Sequence, residues 1–271
     1  MNTTTTSTRR PHLRTLLAII AIASLGASCD DDDAAAPAPQ PTSADSTTSR
    51  AVESIPTTGG GNTENEVFCQ AALDAERAAA TEDTAAIESA FDAVAAAAPA
   101  DVKAAVDTVI AESRAGNEDS PQFGTAYGDL IDYIKDNCGF GTLAVTASEY
   151  AFGGIADTLE AGPVVIDFSN TGQELHHVAM MRINDDVTDT LDELLALPEA
   201  QAQHKLTAVG NAFAAPGEVG FGMVDLEPGR YIAICYLPTG ATPENMPQIE
   251  SGEHQGAPHF THGMVQEFTV S

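Results

Sequence analysis

Four side chains with ligand chemistry fall in two stretches of this 271-residue chain. Cys235 closes the run Arg230-Tyr231-Ile232-Ala233-Ile234-Cys235. After 23 intervening residues, Pro258-His259-Phe260-Thr261-His262-Gly263-Met264 supplies an imidazole and, five positions beyond it, a thioether. Upstream, Asn170-Thr171-Gly172-Gln173-Glu174-Leu175-His176-His177 offers a second imidazole. A buried Cys on its own is ordinarily an inert small hydrophobe, and a lone Met beside a strand is ordinarily core. The four together are a soft donor set that suits copper cycling between two oxidation states, with two His and one Cys in a plane and a weak, long axial Met.

The order of these residues resembles the plastocyanin-type cupredoxins. That family has an N-x-G-type turn running into a His at the start of a strand, then a P-G-x-Y-x-x-x-C strand, then P-H-x-x-x-G-M-V and a last strand ending T-V. Here these are Asn170 to His176, Pro228 to Cys235, Pro258 to Val265, and Thr269-Val270. The resemblance implies a copper ion held by His176, Cys235, His259 and Met264. It also covers nearly all of 141 to 271 in a group of exported bacterial plastocyanin-like proteins. His177 stands where plastocyanins have an Asn that ties the ligand loops together; it could do that, compete as a ligand, or face solvent. The departure is the spacing. Plastocyanins keep two residues between Cys and His, so the 23 found here require an excursion, whose closure entropy grows only slowly with length. Such a loop puts rapid electron transfer in more question than copper binding. His254 and His262 lie on or beside it and could substitute, giving a nitrogen-rich copper site, or be exposed loop residues.

Cysteine arithmetic bears on the same site. Of four Cys, Cys29 follows a basic n-region (Arg9, Arg10, Arg14), an apolar run from Leu16 to Leu25 and the small residues Gly26-Ala27-Ser28. That is the anatomy of an export signal over 1–28. Its end resembles a bacterial lipoprotein signal, with Gly26 where Leu is usual, and implies lipidation of Cys29. Thr8-Arg9-Arg10 to Arg14 also resembles a twin-arginine signal, leaving the export route open. In an oxidising compartment Cys69 and Cys138 can pair. Cys235 is then left over, an oxidation liability unless buried or metal-bound.

Acidic residues number 40 against 11 basic, and removing the three leader Arg leaves 8 basic. Such a polyanion repels phosphate backbones and anionic lipid, so nucleic acid is not an expected partner. Contact with a membrane is expected only through a lipid anchor on Cys29, at the cell surface or in the periplasm. Residues 29–63 are rich in Asp, Ala, Pro, Ser and Thr, a composition that forms a flexible linker.

The elements that must position the ligands follow from periodicity. From 64 to 139, Val67/Phe68/Ala71/Ala72/Ala75, Ile87/Phe91/Val94, Val102/Val106/Val109/Ile110 and Phe123/Tyr127/Leu130/Ile131/Ile134 recur at three to four residues. They predict four helices in a small all-α bundle, with Ser120-Pro121 as cap and first residue and Gly139 after the last. From 140 to 271 the pattern changes to β-branched and aromatic runs: 143–146, 163–168, 175–183, 221–226, 230–237 and 265–270. These predict a second domain, an all-β Greek-key sandwich of the cupredoxin kind. A short helical insert is predicted over 188–197 and 199–206. With seven His, one of them in the leader, and no HExxH motif or Ser-His-Asp order, no enzyme is expected. The reading is an exported, one-electron copper protein with an unidentified redox partner. Copper sequestration or delivery, or a metal-free interaction module, are the alternatives.

Overall fold

The computed structural model describes residues 63–271 except 82, 119 and 255. The export signal over 1–28, the lipidation site at Cys29 and all but the last residue of the 29–63 linker lie outside the described residues.

Four helices come first: α1 (Thr63–Ala79), α2 (Thr84–Ala97), α3 (Lys103–Ala115) and α4 (Pro121–Asn137). Their ends are chemically specified. The Asp83 carboxylate accepts from the amides of Ala85 and Ala86, and Ser120 Oγ accepts from Phe123 N with Pro121 opening α4, so orphan first-turn donors are satisfied. Gly139, just beyond α4, takes the left-handed conformation (φ 64°) that an L side chain resists. Phe68, Ala72, Leu73, Val94, Val106, Ile110, Ile131 and Ile134 fill the interior, whereas Val67, grouped with them by spacing, is exposed. The Cys69–Cys138 disulfide (Cα–Cα 5.6 Å) joins α1 to the end of α4.

Two sheets follow. One has the order β2 (Ala151–Gly153), β1 (Gly141–Ser148), β4 (Gly162–Asn170), β7 (Val219–Leu226). The other has β3 (Thr158–Leu159), β9 (Val265–Val270), β8 (Gly229–Ile234), β5 (His176–Ile183), β6 (Leu206–Ala214). Pairing is antiparallel except β1 with β4 and β3 with β9. Between the sheets lies the largest apolar cluster, including Val145, Ile166, Phe168, Val178, Met180, Tyr231 and Phe268. Both outer faces are also covered in part, although the outer face of β1 is exposed. Val165 and Met223 turn away from that core and join the helical cluster with Phe68 and Ile131. On the opposite sheet, Met181, Ile183, Ile232 and Ile234 are covered by Leu194 of α5 (Leu191–Leu195), whose start carries a Thr190/Glu193 capping box.

The insert departs from the helix predicted over 199–206. α6 ends at Ala202 (Glu199–Ala202), and Leu206 begins β6. β6 is rich in Ala, Gly and Asn, which hides its strand character, because there its backbone comes against β7. A Cβ on Gly220 would stand 1.5 Å from Phe213 O, and one on Gly222 1.9 Å from Asn211 O. Small residues at this crossing let the chain pass from one sheet to the other.

Candidate metal centre

His176 opens β5, and Cys235 follows the last residue of β8. His259 opens a 3-10 turn, His259–His262, that leads into β9. The backbone of Cys235 fastens that turn at both ends: its N–H donates to Met264 O (3.1 Å) and its carbonyl accepts from Phe260 N (3.0 Å). Gly263 closes the turn in the left-handed region (φ 110°). The 23-residue excursion is pinched at its neck. Pro238 bridges Pro258, Thr239 N donates to Ala257 O (2.8 Å), and His259 N donates to Leu237 O (2.8 Å). Cys235 and His259 are therefore held as they would be on a much shorter loop.

The side chains converge. One ligand atom each from His176, Cys235 and His259 lies within 4.8 Å of the others, and all three residues are buried. Cys235 Sγ is 3.4 Å from His259 Nδ1, and His259 Nδ1 is 3.2 Å from His176 Nδ1. Nitrogen and sulfur donors about 2.0–2.3 Å from a first-row metal ion stand roughly 3.5 Å apart in a trigonal plane, so these separations fit one ion. Met264 is fully buried beside Cys235 in the same apolar cluster, and its amide donates to His259 O (3.2 Å).

Two carboxylates that the sequence reading did not single out complete the site. His259 Nε2 is 2.9 Å from Glu174 Oε2, and His176 Nε2 is 3.3 Å from Glu149 Oε1. A carboxylate accepts, so each Nε2 carries the proton and each Nδ1 presents a lone pair. Two lone pairs 3.2 Å apart, with a sulfur beside them, are short of donors, and a single thiol proton can serve only one. A soft cation serves all of them. Glu149 is itself held by the amides of Glu174 (2.9 Å) and Gln173; burial opposes its ionisation, but these amides outweigh it and hold the carboxyl below its ordinary range. Glu174 Oε2 accepts from Gly240 N (2.6 Å), and its Oε1 from the Tyr150 hydroxyl (3.1 Å).

Protonation states favour loading. Burial lowers the His176 pKa against the pull of Glu149; burial and then the neighbouring His176 lower that of His259. Both rings are neutral near pH 7, the form that ligates. Burial pushes the Cys235 thiol up to about 12. Metal binding must therefore displace its proton, and affinity rises with pH.

The remaining sequence candidates take other places. His177 is buried, its Nδ1 3.4 Å from Cys235 Sγ and its ring stacked on Phe213 (centroids 4.9 Å). Burial, with His259 and His176 nearby, lowers its pKa to about 3. Asn170 is buried and ties the ligand loop: Nδ2 donates to Glu174 O and Ala214 O (both 2.8 Å), and Oδ1 accepts from Gly172 N (2.8 Å). His254 lies away from the cluster, its Nε2 donating to Thr239 O (2.8 Å) at the neck. His262 is exposed and packs on Tyr150 (centroids 4.9 Å), which also meets His259 (4.8 Å). Glu174 and Glu149 could have been found only from the placement of their neighbours, since acids are common throughout the chain.

The donor set of this centre is that of a copper site. No protein-family model matches the chain, and no curated protein does. Among solved structures, auracyanin B is 23% identical over 48% of this chain and 88% of its own, with a TM-score of 0.29. Auracyanin A, a "blue" copper protein from the green thermophilic photosynthetic bacterium Chloroflexus aurantiacus, is 17% identical over 49% of this chain and all of its own, also at 0.29. A multi-copper oxidase from Pediococcus acidilactici is 12% identical over 49% of this chain and 26% of its own, at 0.27.

Proposed function

We propose that this protein is a cupredoxin-like electron carrier that holds one copper ion through His176, Cys235 and His259, with Met264 as the weak fourth ligand. The observation that carries this is the convergence of a buried thiol and two imidazole Nδ1 lone pairs whose outer nitrogens are already committed to carboxylates. Copper, when bound, supplies a one-electron couple. The chain's own residues exclude water, fix both rings and hold the thiol where its proton can be displaced. The pinched neck supports transfer over mere storage, because it restores the rigidity that a 23-residue loop would forfeit. The Cys69–Cys138 disulfide supports the exported location, with lipidation at Cys29 as the anchor.

The test is spectroscopic. Protein loaded with Cu(II) is expected to show an intense visible thiolate-to-copper band, absent in Cys235→Ser and reversibly bleached by a one-electron reductant. A colourless Cu(II) protein with Cys235 intact, or a preference for zinc with no reversible redox wave, would remove the reading.

A further inference from the structure

The two carboxylates behind the imidazoles differ from the rest of the site in one respect: they are acids in direct contact with its rings, and they lie on its solvent side. Both imidazole side chains are 0% exposed, while Glu174 is 21% and Glu149 30% exposed. Each is held by two further donors from neighbouring segments. Glu149 is fixed by the amides of Gln173 and Glu174, and Glu174 by Gly240 N and the Tyr150 hydroxyl. Gly172 makes room, since a Cβ there would stand 2.3 Å from Glu149 Oε1 and 2.7 Å from His176 Nε2. The first turn of the excursion also docks here, Leu175 N donating to Ala241 O (2.8 Å) beside the Gly240 contact. The excursion thus supplies the donor that aims Glu174 at His259.

We propose that Glu149 and Glu174 are positioning residues that set the reduction potential of the centre. This rests on the copper reading given above. By accepting from Nε2, each makes its ring a stronger Nδ1 donor in a fixed tautomer. Two negative charges one imidazole away from the ion, across rings that are themselves fully buried, stabilise the more highly charged oxidation state more than the less charged one. The outcome is a centre biased toward Cu(II), with a potential lower than the same four ligands would give without the acids.

Gln substitutions separate charge from geometry. Glu174 Oε2 must accept from both Gly240 N and His259, and Glu149 Oε1 from two amides and His176. A Gln amide oxygen is therefore directed to the same position by the backbone donors, preserving the hydrogen bond while removing the charge. In Glu149→Gln/Glu174→Gln, the ratio of Cu(II) to Cu(I) affinity is expected to fall at least tenfold. A redox titration would read this as a rise of at least about 59 mV, the one-electron equivalent of a factor of ten, with the visible band retained. The control is Asp101→Asn/Asp107→Asn, two exposed acids in the helical part, expected to leave the potential unmoved. Should the Gln pair prove unstable, the single Ala variants at 149 and 174 provide the second arm: each is expected to lose 10–100-fold in Cu(II) affinity. A potential that is unchanged or lower in the Gln pair, with the band intact, overturns the proposal. So do unchanged affinities in the Ala variants. Failure of the copper reading itself would look different, as a wild-type protein with no band.

Discussion

Gly172 shows how narrowly the site is fitted at the scale of single residues. It has no ligand chemistry, yet an added methyl would collide with both members of the Glu149–His176 contact. Gly172→Ala is therefore expected to weaken Cu(II) binding by tenfold or more by displacing the carboxylate, the size of loss usual for a disturbed outer partner of a ligating His. Competition against a chelator of known affinity would measure it. A titrating residue far from the centre gives a second expectation. Glu76 Oε1 accepts from the Tyr127 hydroxyl (3.0 Å), and burial raises its carboxyl to about 7 against that hydrogen bond. The folded acid keeps a proton that the unfolded chain releases near 4.5, so this contribution is complete below pH 4.5 and is lost as pH rises through 7. The full shift would correspond to roughly 3 kcal/mol; partial solvent access to Glu76 reduces the expectation to about 1–2 kcal/mol. Glu76→Gln should be more stable than wild type in urea melts at pH 8 and equal to it at pH 4. The convergence of His176, Cys235 and His259 could be read from the sequence because thiol and imidazole are scarce residue types in a telling order. Glu149 and Glu174 could not be read among 40 acids, since only the fold brings them to Nε2.

At the scale of elements, the excursion between Cys235 and His259 is a closed side loop. Its neck is held by the Pro238–Pro258 bridge and by the His254–Thr239 hydrogen bond, and Met246 and Ile249 from α7 (Met246–Glu250) pack on the inter-sheet core. Loop length in the sequence gave no hint of this, because the pinch is made by backbone groups, which every residue carries. His254→Ala is expected to cost about 1 kcal/mol, the net worth of one hydrogen bond, and to leave copper stoichiometry and the visible band unchanged. A weakened band would instead place His254 among the ligands. The same backbone dependence explains the strand at Leu206–Ala214. The long apolar strands carried enough Val, Ile, Phe and Tyr to be recognised, but β6 is built from small residues selected by its crossing with β7. Gly220→Ala, whose Cβ would lie inside the Phe213 carbonyl, is expected to prevent stable folding. That would be seen as loss of soluble protein, whereas the same change at Gly124, where nothing lies within 4 Å, should be tolerated.

Across the described residues, a helical layer, two sheets and a small helical insert stack on one another, so the central strands are buried on both faces while β1 keeps one face exposed. β4 shows this within three residues: Val165 packs with the helices, while Val164 and Ile166 pack between the sheets. Ion pairs add to the helix–sheet contact, Lys135 with Asp167 (2.5 Å) and Arg77 with Asp225, as does the Lys135 ammonium over the Phe221 ring at 4.9 Å. The three converging side chains of the candidate centre sit at the start of β5, just past β8 and in the turn before β9, at one end of the sheet that α1 to α4 do not cover. The disulfide, by contrast, belongs wholly to the helical layer, and Cys69 and Cys138 share no apolar cluster with Cys235. Stability and metal chemistry should therefore separate. Closing a 69-residue loop is worth about 4 kcal/mol on the chain-entropy account. Cys69→Ala/Cys138→Ala is expected to lower the unfolding free energy read from the urea transition of the helical far-ultraviolet signal by most of that amount. The visible band and reduction potential of its Cu(II) form at 25 °C should match those of wild type. If both the band and the helical signal are lost in this variant, the helical layer is holding the ligand-bearing sheet in place, and the centre is a property of the entire stack.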